Sequence, residues 1–355
     1  MKKLSILLVL LSLSFFAPAQ NWVNILSATP APAKIILTSG DISNVSFNVE
    51  VKGYYAENVT TPQGPKMVIN LDKAPRILES GCPDLPKVVT SLIVPDDQHM
   101  VAEITYSSFT DFANIDIAPS KGNFTRDIDP ATVPYTYGPV YQQNQFYPGT
   151  LAELKEPYIL RDFRGQAVVT YPFQYNPVTK VLRVYHNLSV NIHPAPGLVV
   201  NPLLRNQPPS KIEKEFSHIY NRHFLNFNSN YKYTPLEEQG NMLIICADAY
   251  MNAMQPLVNW KNDMGIPTEI VSKTTAGGTN TAIKTYVTNY YNTNGLTFLL
   301  LVGDAAGVPT YTVSGGGSDP TYGYLAGNDH YQEIFVGRFS AETLDQVNTM
   351  VTRTI

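Results

Sequence analysis

Two carboxylates and an aromatic residue alternate in the stretch GNDHYQEIFVGRF, which begins at Gly327. Asp329, Tyr331 and Glu333 are spaced two apart, so their side chains or the intervening carbonyl groups can converge on one point. The run LLLVGD ends at Asp304 and offers a third carboxylate from a neighbouring strand end. Hard oxygen ligands of this kind suit Ca²⁺. Solvated loop carboxylates explain the same spacing, and a pair of acids for hydrolysis is a third interpretation.

The composition describes a mildly acidic chain that can form two domains. Its 355 residues are enough for two hydrophobic cores. The net charge is -4 and only 15% of the residues are charged. We therefore expect no basic surface that could neutralise the phosphate groups of a nucleic acid, and we exclude nucleic-acid binding.

The first residues have the pattern of an export signal. MKKLSILLVLLSLSFFAPAQ combines a basic start, an apolar core and the small-residue cleavage signal Ala17-Pro18-Ala19. We expect residues 1–19 to be a signal peptide and the mature protein to be secreted or held at the cell surface. The later sequence contains no segment with the roughly 20 apolar residues of a membrane span.

The sequence contains two cysteines, Cys82 and Cys246, so we do not expect a disulfide framework to stabilise the fold. Cys246 lies in the apolar run MLIICA. We expect two unpaired thiols, and a Cys82–Cys246 bridge is the alternative. An apolar site in the middle of a strand raises the pKa of a thiol and hides it, which argues against Cys246 as a nucleophile.

Residues 28–192 alternate between apolar and polar side chains. In NVSFNVEVK, Val45, Phe47, Val49 and Val51 share one face, as in a half-buried antiparallel strand. The same alternation in VLRVYHNLSVNI predicts another strand, which the turn YNPVTK joins to the strand before it. Many short strands separated by Pro and Gly predict a β-sandwich.

The composition changes in residues 203–232. Ser210 and Glu213 have the spacing of a capping box, which predicts a short helix. The polar stretch NFNSNYKYTPLEEQGN follows, and its composition is typical of an exposed, cleavable linker. We place the domain boundary here.

From residue 241 onward, predicted strands alternate with predicted helices. MLIICA, TEIV and LTFLLLV have the composition of buried strands, and helices are expected at about 253–264 and around Ile283 and Val287. The order βαβαβ predicts a parallel, doubly wound sheet. A last helical pattern follows Ser340 and is unfinished at Ile355, so we expect the domain to continue beyond this sequence.

Several of these stretches together resemble the gingipains, secreted cysteine endopeptidases of the C25 peptidase family. LVNWKNDMGIPTEI, LLLVGD and SDPTYGYLAGNDHYQEIFVGRFS are similar to the start of the gingipain catalytic domain. APSKGNFTRDIDP, FYPGTL and LRDFRGQAVVTYPFQYNPVTKVLRVY are similar to the gingipain prodomain. The likeness covers nearly the whole chain after the export signal.

The resemblance implies a zymogen in three parts. Residues 20–202 would be a β-sandwich prodomain, residues 203–232 a helix and cleavable linker, and residues 233–355 the first part of a caspase-like α/β catalytic domain. The prodomain would act as an intramolecular inhibitor. The cut would fall between Lys232 and Tyr233.

The resemblance also implies a structural calcium ion as the cofactor. Its ligands would be the side chains of Asp304, Asp329 and Glu333 together with the carbonyl groups of Ala326 and Tyr331.

Catalysis itself is not assigned to this sequence. In gingipains the catalytic histidine precedes a glycine and the catalytic cysteine precedes Asn-Gly, whereas no histidine here precedes a glycine and neither cysteine fits. We expect both groups beyond residue 355, acting on protein or peptide substrates through a thiolate and an oxyanion hole. The alternative is a non-catalytic exported binding protein with a degenerate peptidase domain.

One inhibitory residue can be named from the resemblance. Arg126, in KGNFTRD, matches the prodomain position whose basic side chain enters the substrate pocket. An exposed loop arginine without this role is the alternative.

Overall fold

The computed structural model describes residues 21–205, 209, 211–227 and 236–355. The predicted signal peptide therefore lies outside the described residues. Residues 21–205 form an N-terminal β domain. Its strands are β1 (Asn21–Asn24), β2 (Lys34–Asp41), β3 (Asn44–Glu50), β4 (Gly53–Thr61), β5 (Gly64–Asn70), β6 (Val88–Ile93), β7 (Met100–Tyr106), β8 (Phe109–Phe112), β9 (Ala152–Leu154), β10 (Tyr158–Leu160), β11 (Phe163–Thr170), β12 (Phe173–Asn176), β13 (Val181–Tyr185) and β14 (Asn187–Pro194).

The N-terminal β domain consists of antiparallel sheets around one core. The strand orders are β1-β4-β5, β10-β11-β6 with β9 also on β11, β12-β13-β8, and β2-β3-β14-β7. Val45, Phe47, Val49 and Val51 are all buried in this core, which confirms the face predicted for that strand. The β-sandwich class predicted for this half is confirmed.

The stretch VLRVYHNLSVNI forms two strands, so the prediction of one strand is wrong. β13 pairs with β12 and β8, whereas β14 pairs with β3 and β7 in another sheet. His186 lies between them, with its ring nitrogens 3.0 Å from Ser108 Oγ and 2.7 Å from Thr110 Oγ1. Both strands keep their apolar residues inward, so an alternating pattern alone does not reveal the break.

The connection between the domains contains β15 (Lys211–Glu213), α1 (Lys214–His223) and β16 (Leu236–Glu238). The helix is present as predicted, but the capping box is wrong, because Glu213 is the N-cap and its side chain makes no capping bond. Ser210 lies outside the described residues. Residues 211–213 are extended because β15 pairs in parallel with β16.

Residues 242–355 form an α/β domain. Its elements are β17 (Met242–Cys246), α2 (Met251–Asp263), β18 (Thr268–Ser272), α3 (Asn280–Asn294), β19 (Phe298–Val302), β20 (Tyr311–Val313), β21 (Gly316–Ser318), β22 (Phe335–Phe339) and α4 (Leu344–Thr354). The main sheet is parallel, in the order β18-β17-β19-β22.

The two faces of this sheet have separate cores. Leu243 and Ile245 pack with Ile283 of α3, whereas Ile244 and Cys246 pack with Leu257 of α2 and with α4. Helices therefore cover both faces, which confirms the doubly wound arrangement. Among the described residues, the helices are too short or too polar to cross a membrane.

Both cysteines are free thiols in this structure. Cys246 is buried, and its burial raises the pKa of the thiol to about 12, in agreement with the prediction that it is not a nucleophile. Cys82 is half-buried, and burial together with the nearby Glu79 raises its pKa as well.

Candidate functional site at the contact between the two domains

The segment Gly327–Glu333, which we call the docking segment, lies against the N-terminal β domain. Asp329 Oδ2 accepts hydrogen bonds from the backbone N–H of Ile159 at 2.8 Å and from Asn201 Nδ2 at 2.9 Å. Its Oδ1 accepts from the N–H of Tyr331 at 2.9 Å, which fixes the local turn. Ile159 lies in the edge strand β10, so its N–H can point out of the sheet. The Asp329 carboxylate is thus held by both domains.

Asn201 completes this contact from the N-terminal β domain. Its Oδ1 accepts from the N–H of Asn328 at 3.0 Å, so its amide both donates to and accepts from the docking segment. Asn201 has a φ of 47°, a left-handed conformation that asparagine tolerates well. The buried Arg164 donates from Nε to the Asn201 carbonyl at 3.0 Å and from Nη2 to the Val200 carbonyl at 2.8 Å. Arg164 therefore fixes the backbone that presents Asn201.

An aromatic pair lies beside these polar contacts. The ring of Tyr331 stacks on that of Tyr158 with 4.0 Å between centroids and an interplanar angle of 14°. The Tyr158 hydroxyl is 2.6 Å from Nε2 of His223, and burial lowers the pKa of that histidine. A neutral His223 can accept the hydroxyl proton of Tyr158 as a hydrogen bond. The stack adds an aromatic contact between the two domains next to Asp329.

Arg161 joins the N-terminal β domain, the connection and the α/β domain. It follows β10, has a φ of 48°, and its side chain is only 6% exposed. Its Nη1 donates to the carbonyls of Leu296 at 2.6 Å and Glu333 at 2.8 Å, across the domain boundary. Its Nη2 forms an ion pair with Glu213 of β15, and its guanidinium lies 4.6 Å from the ring centroid of Phe216 in α1. One buried cation therefore holds three parts of the chain together.

Glu333 ends the docking segment and is fully buried. Its Oε2 accepts from the N–H groups of Leu325 at 2.6 Å and Ala326 at 3.0 Å. Its Oε1 has no hydrogen-bonding partner among the described residues. Desolvation by burial raises the pKa of Glu333 to about 7, although the two N–H donors oppose this shift. A buried carboxylate oxygen without a partner is a natural position for a bound cation.

The predicted calcium ligands are not all brought together. Phe335 of β22 is level with Phe298 of β19, so Glu333 lies near the amino end of the sheet, whereas Asp304 follows the carboxyl end of β19. At about 3.3 Å per residue, Asp304 and Glu333 are separated by roughly 26 Å along the strands. The inclusion of Asp304 with Asp329 and Glu333 is therefore wrong.

Asp304 has another task at its own end of the sheet. Its Oδ1 accepts from the N–H groups of Ala306 at 3.1 Å and Gly307 at 2.8 Å, which caps a turn. Across the described ranges, no three His, Cys, Asp or Glu side chains converge as metal ligands. The orphaned Glu333 Oε1 fits a cation, whereas both oxygens of Asp329 already accept hydrogen bonds. Calcium at Glu333, with the predicted carbonyls of Ala326 and Tyr331, stays a prediction.

The other predicted site residues lie apart from the docking segment. Arg126 is exposed on the loop that lines a cavity in the N-terminal β domain. Its inhibitory role stays a prediction. Lys232 and Tyr233, the predicted cleavage site, lie outside the described residues.

The sequence reasoning missed Arg161 and Asn201. The only local signal for Arg161 is the charged pair Arg161-Asp162 between two apolar strands in YILRDF. Asn201 lies in a polar turn and has no pattern that distinguishes it from other turn residues. Both owe their role to distant segments that meet only in the folded chain.

Two family matches divide the chain at the connection between the domains. Residues 27–234 match Propeptide_C25, and residues 235–355 match Peptidase family C25. The chain belongs to peptidase family C25. The division falls between α1 and β16 of this C25 chain, in the stretch where the cleavable linker is predicted.

Curated relatives are similar along most of this C25 chain. Gingipain R1 of Porphyromonas gingivalis is 39% identical over 324 residues, which are 90% of this chain and 32% of that protein. Gingipain R2 of P. gingivalis strain ATCC 33277 is 36% identical over 351 residues, 97% of this chain and 46% of that protein. The chain thus spans 32% of the length of the first of these relatives and 46% of the second.

A solved structure is also similar. The complex of P. gingivalis RgpB pro- and mature domains matches with a TM-score of 0.50 and 34% identity, over 55% of this chain and 97% of the matched chain. The match therefore covers about half of this chain and almost the whole of the matched chain.

Proposed function

We propose that this chain is the prodomain and the first part of the catalytic domain of a gingipain-type cysteine endopeptidase zymogen. The observation that carries the proposal is the buried Arg161, which bonds two carbonyls of the α/β domain from the N-terminal β domain. An inhibitory prodomain must stay bound to the domain it blocks, and this contact provides such an attachment. The family membership and the names of the relatives give the reaction class, hydrolysis of peptide bonds in proteins.

Cleavage of the connection would leave the two domains associated. The predicted cut at Lys232-Tyr233 lies between α1 and β16, yet β16 pairs with β15 on the other side of the cut. Arg161 and Asn201 also act across the boundary without a covalent link. The cut chain would therefore remain a noncovalent inhibited complex until the prodomain is removed.

The nucleophile is not one of the two cysteines of this sequence. A cysteine peptidase needs a thiolate at an accessible site, beside an imidazole that takes its proton. Burial raises the pKa of Cys246 to about 12, and burial with the nearby Glu79 raises that of Cys82. We assign catalysis to a histidine and a cysteine encoded downstream, and to this chain the latency of the zymogen.

The test is to extend expression downstream in the source gene and to assay hydrolysis of peptides with Arg or Lys before the scissile bond. The uncut protein is expected to be inactive, and cutting at the linker followed by prodomain removal is expected to produce activity. An extended protein that stays inactive after both steps would refute the proposal and favour the non-catalytic binding protein.

Arg126 is proposed as the residue that blocks the substrate pocket. Its exposed position on a loop leaves the guanidinium free to enter a partner surface. In the extended protein, Arg126→Ala is expected to weaken inhibition by added prodomain, whereas Lys34→Ala, at an exposed position of β2 outside this loop, serves as the control. Equal inhibition by the wild-type and Arg126→Ala prodomains would remove this role.

Calcium binding at Glu333 is proposed as a structural feature of the α/β domain. The ion would bind the unpartnered Oε1 of Glu333 and would neutralise the buried carboxylate. Excess calcium is expected to raise the melting temperature of the wild type over that in chelator, and Glu333→Gln is expected to abolish the difference. Identical melting of the wild type with calcium and with chelator would refute the site.

We propose that the protein is exported, because residues 1–19 have the pattern of a signal peptide and the family resemblance is to secreted peptidases. Mass spectrometry of protein from the source cells should find mature N-termini near Gln20 in the medium or on the cell surface. Retention of Met1 in an intracellular protein would contradict this proposal.

A further inference from the structure

Lys284, on helix α3, places its ammonium group against a loop of the same domain. Its Nζ donates to the carbonyl groups of Thr321 at 2.8 Å, Tyr322 at 3.2 Å and Tyr324 at 2.6 Å. A lysine ammonium has three N–H donors and no acceptor, so these three carbonyls use its full bonding capacity. Burial lowers the pKa of Lys284 to about 8, so the group is still charged near neutral pH.

The same loop is also held by Glu333. We call residues 321–326 the lead-in loop, because they directly precede the docking segment. The Glu333 N–H donates to the Gly323 carbonyl at 3.0 Å, and the Glu333 carboxylate accepts from the last two N–H groups of the loop. With the bonds from Lys284, every carbonyl from residue 321 to residue 324 is therefore bonded to one of two residues.

One peptide group of the lead-in loop joins the two charges. Its carbonyl, that of Tyr324, accepts from Lys284, and its N–H, that of Leu325, donates to Oε2 of Glu333, each at 2.6 Å. The cation and the anion polarise this peptide in the same sense, which strengthens both hydrogen bonds. Lys284 is fixed on a helix of 15 residues, whereas Glu333 belongs to the docking segment itself. The helix is therefore the anchor of the arrangement.

The lead-in loop continues into the part of the docking segment that contacts the other domain. Asp329 lies three residues beyond Ala326, and its Oδ2 accepts from the N–H of Ile159 in the N-terminal β domain at 2.8 Å. The hydrogen bonds described for the Lys284 ammonium all stay within the α/β domain. Its influence on the domain contact therefore passes through the lead-in loop.

We propose that the carbonyl groups of Thr321, Tyr322 and Tyr324 form a binding site for a primary ammonium group, which Lys284 fills from within the chain, and that its occupancy positions the docking segment. Lys284 is thus a positioning residue for the domain contact, and its biological role rests on the latency proposed above. The test measures the contact and not peptidase activity. An extended protein without peptidase activity would refute the proposed function and leave the role of Lys284 in the contact standing.

The test is hydrogen exchange of the intact chain near neutral pH with a chelator present, measured at single amides. Lys284→Ala is expected to speed the exchange of the Leu325 N–H and of the Ile159 N–H, each by at least about tenfold. This is the effect of losing one hydrogen bond from a charged donor. The Ile159 N–H lies in the other domain, so its exchange would not change if Lys284 only braced its own loop.

Chemical rescue separates the ammonium group from simple packing. Lys284→Ala lacks three methylene groups and the ammonium, so excess propylammonium is expected to restore slow exchange at both amides. Propanol has the same chain without the charge, and tetramethylammonium has a charge without N–H donors, so neither is expected to restore it. Lys284→Met keeps the apolar stem and fills the space, so it is expected to exchange fast with or without propylammonium.

Lys261→Ala is the matched control. Lys261 lies on α2 of the same domain, with its ammonium 4.7 Å from the centroid of the Trp260 ring, and its loss is expected to leave both exchange rates unchanged. The proposal is overturned if the Ile159 N–H exchanges in the two Lys284 variants as it does in Lys261→Ala, or if propylammonium restores slow exchange no better than propanol does. Circular dichroism checks folding, and if Lys284→Ala does not fold, Lys284→Met decides the effect on Ile159.

Discussion

Loss of the Arg161 side chain should weaken the association of the two domains more than the loss of any other side chain in the contact. The proposed change is Arg161→Met together with Glu213→Gln, so that the half-buried carboxylate of Glu213 is not left without its cation. Methionine keeps much of the length and apolar stem of arginine. The double variant therefore tests the charged hydrogen bonds with little change in packed volume.

The expected magnitude follows from the contacts that cross the boundary. After a cut in the linker, Glu213 and Phe216 stay with the N-terminal fragment. Separation then breaks the bonds to the Leu296 and Glu333 carbonyls and the contact with the Tyr291 ring, whose centroid lies 5.6 Å from the guanidinium. Hydrogen bonds from a charged donor contribute about 1.5–3 kcal/mol each. A lower value of about 3 kcal/mol for the pair corresponds to a roughly hundredfold weaker association.

The assay uses the chain with a specific protease sequence in place of residues 228–232. After cleavage, the dissociation constant of the two fragments is measured by surface plasmon resonance. Arg161→Lys keeps the charge, but lysine has no planar guanidinium that can bond two carbonyls. Its dissociation constant is therefore expected to lie between those of the wild type and the double variant.

Arg183→Met is the matched control. Arg183 also forms a bidentate ion pair, with Asp111, but it does so on the N-terminal β domain alone and should leave the association unchanged. If the Arg161 double variant associates as tightly as Arg183→Met, the view that Arg161 holds the domains together is refuted.

Two further predictions concern the docking segment. The pKa of Glu333 is raised to about 7, so the folded state retains a proton that the unfolded state loses above its ordinary pKa of 4.5, and stability falls as pH rises between these values. In calcium-free buffer, the free energy of unfolding of Glu333→Gln, measured with urea, should therefore equal that of the wild type near pH 4 and exceed it by about 3 kcal/mol at pH 8. If the two free energies change in parallel with pH, the raised pKa is contradicted. Asn201→Asp removes a donor and places a second carboxylate beside Asp329, so it should weaken fragment association by about 2 kcal/mol, roughly thirtyfold. Asn201→Gly tolerates the positive φ and should weaken fragment association less than Asn201→Asp does. Equal weakening by the two variants would show that charge repulsion plays no part.

The periodic elements of this protein are predictable from local sequence. The face of β3 and the buried strands β17 and β19 follow from apolar spacing, because burial on one or both faces leaves a direct record in the residue types. The prediction of a single strand across His186 was wrong. β13 and β14 lie in different sheets, but both keep their apolar residues inward, so the alternating pattern continues across the break. The capping box failed because pairing with β16 keeps residues 211–213 extended.

The site was only half predictable. The sequence by itself marked the docking segment as chemically unusual, and its family resemblance placed the chain in the C25 family, since both depend on contiguous residues. The tertiary structure decided the rest. It placed Asp304 at the opposite end of the sheet from Glu333, because β19 and β22 are parallel, Asp304 follows the end of β19 and Glu333 precedes the start of β22. It also brought Arg161 and Asn201 to the docking segment from more than a hundred residues away, through side-chain hydrogen bonds that leave no pattern in the sequence.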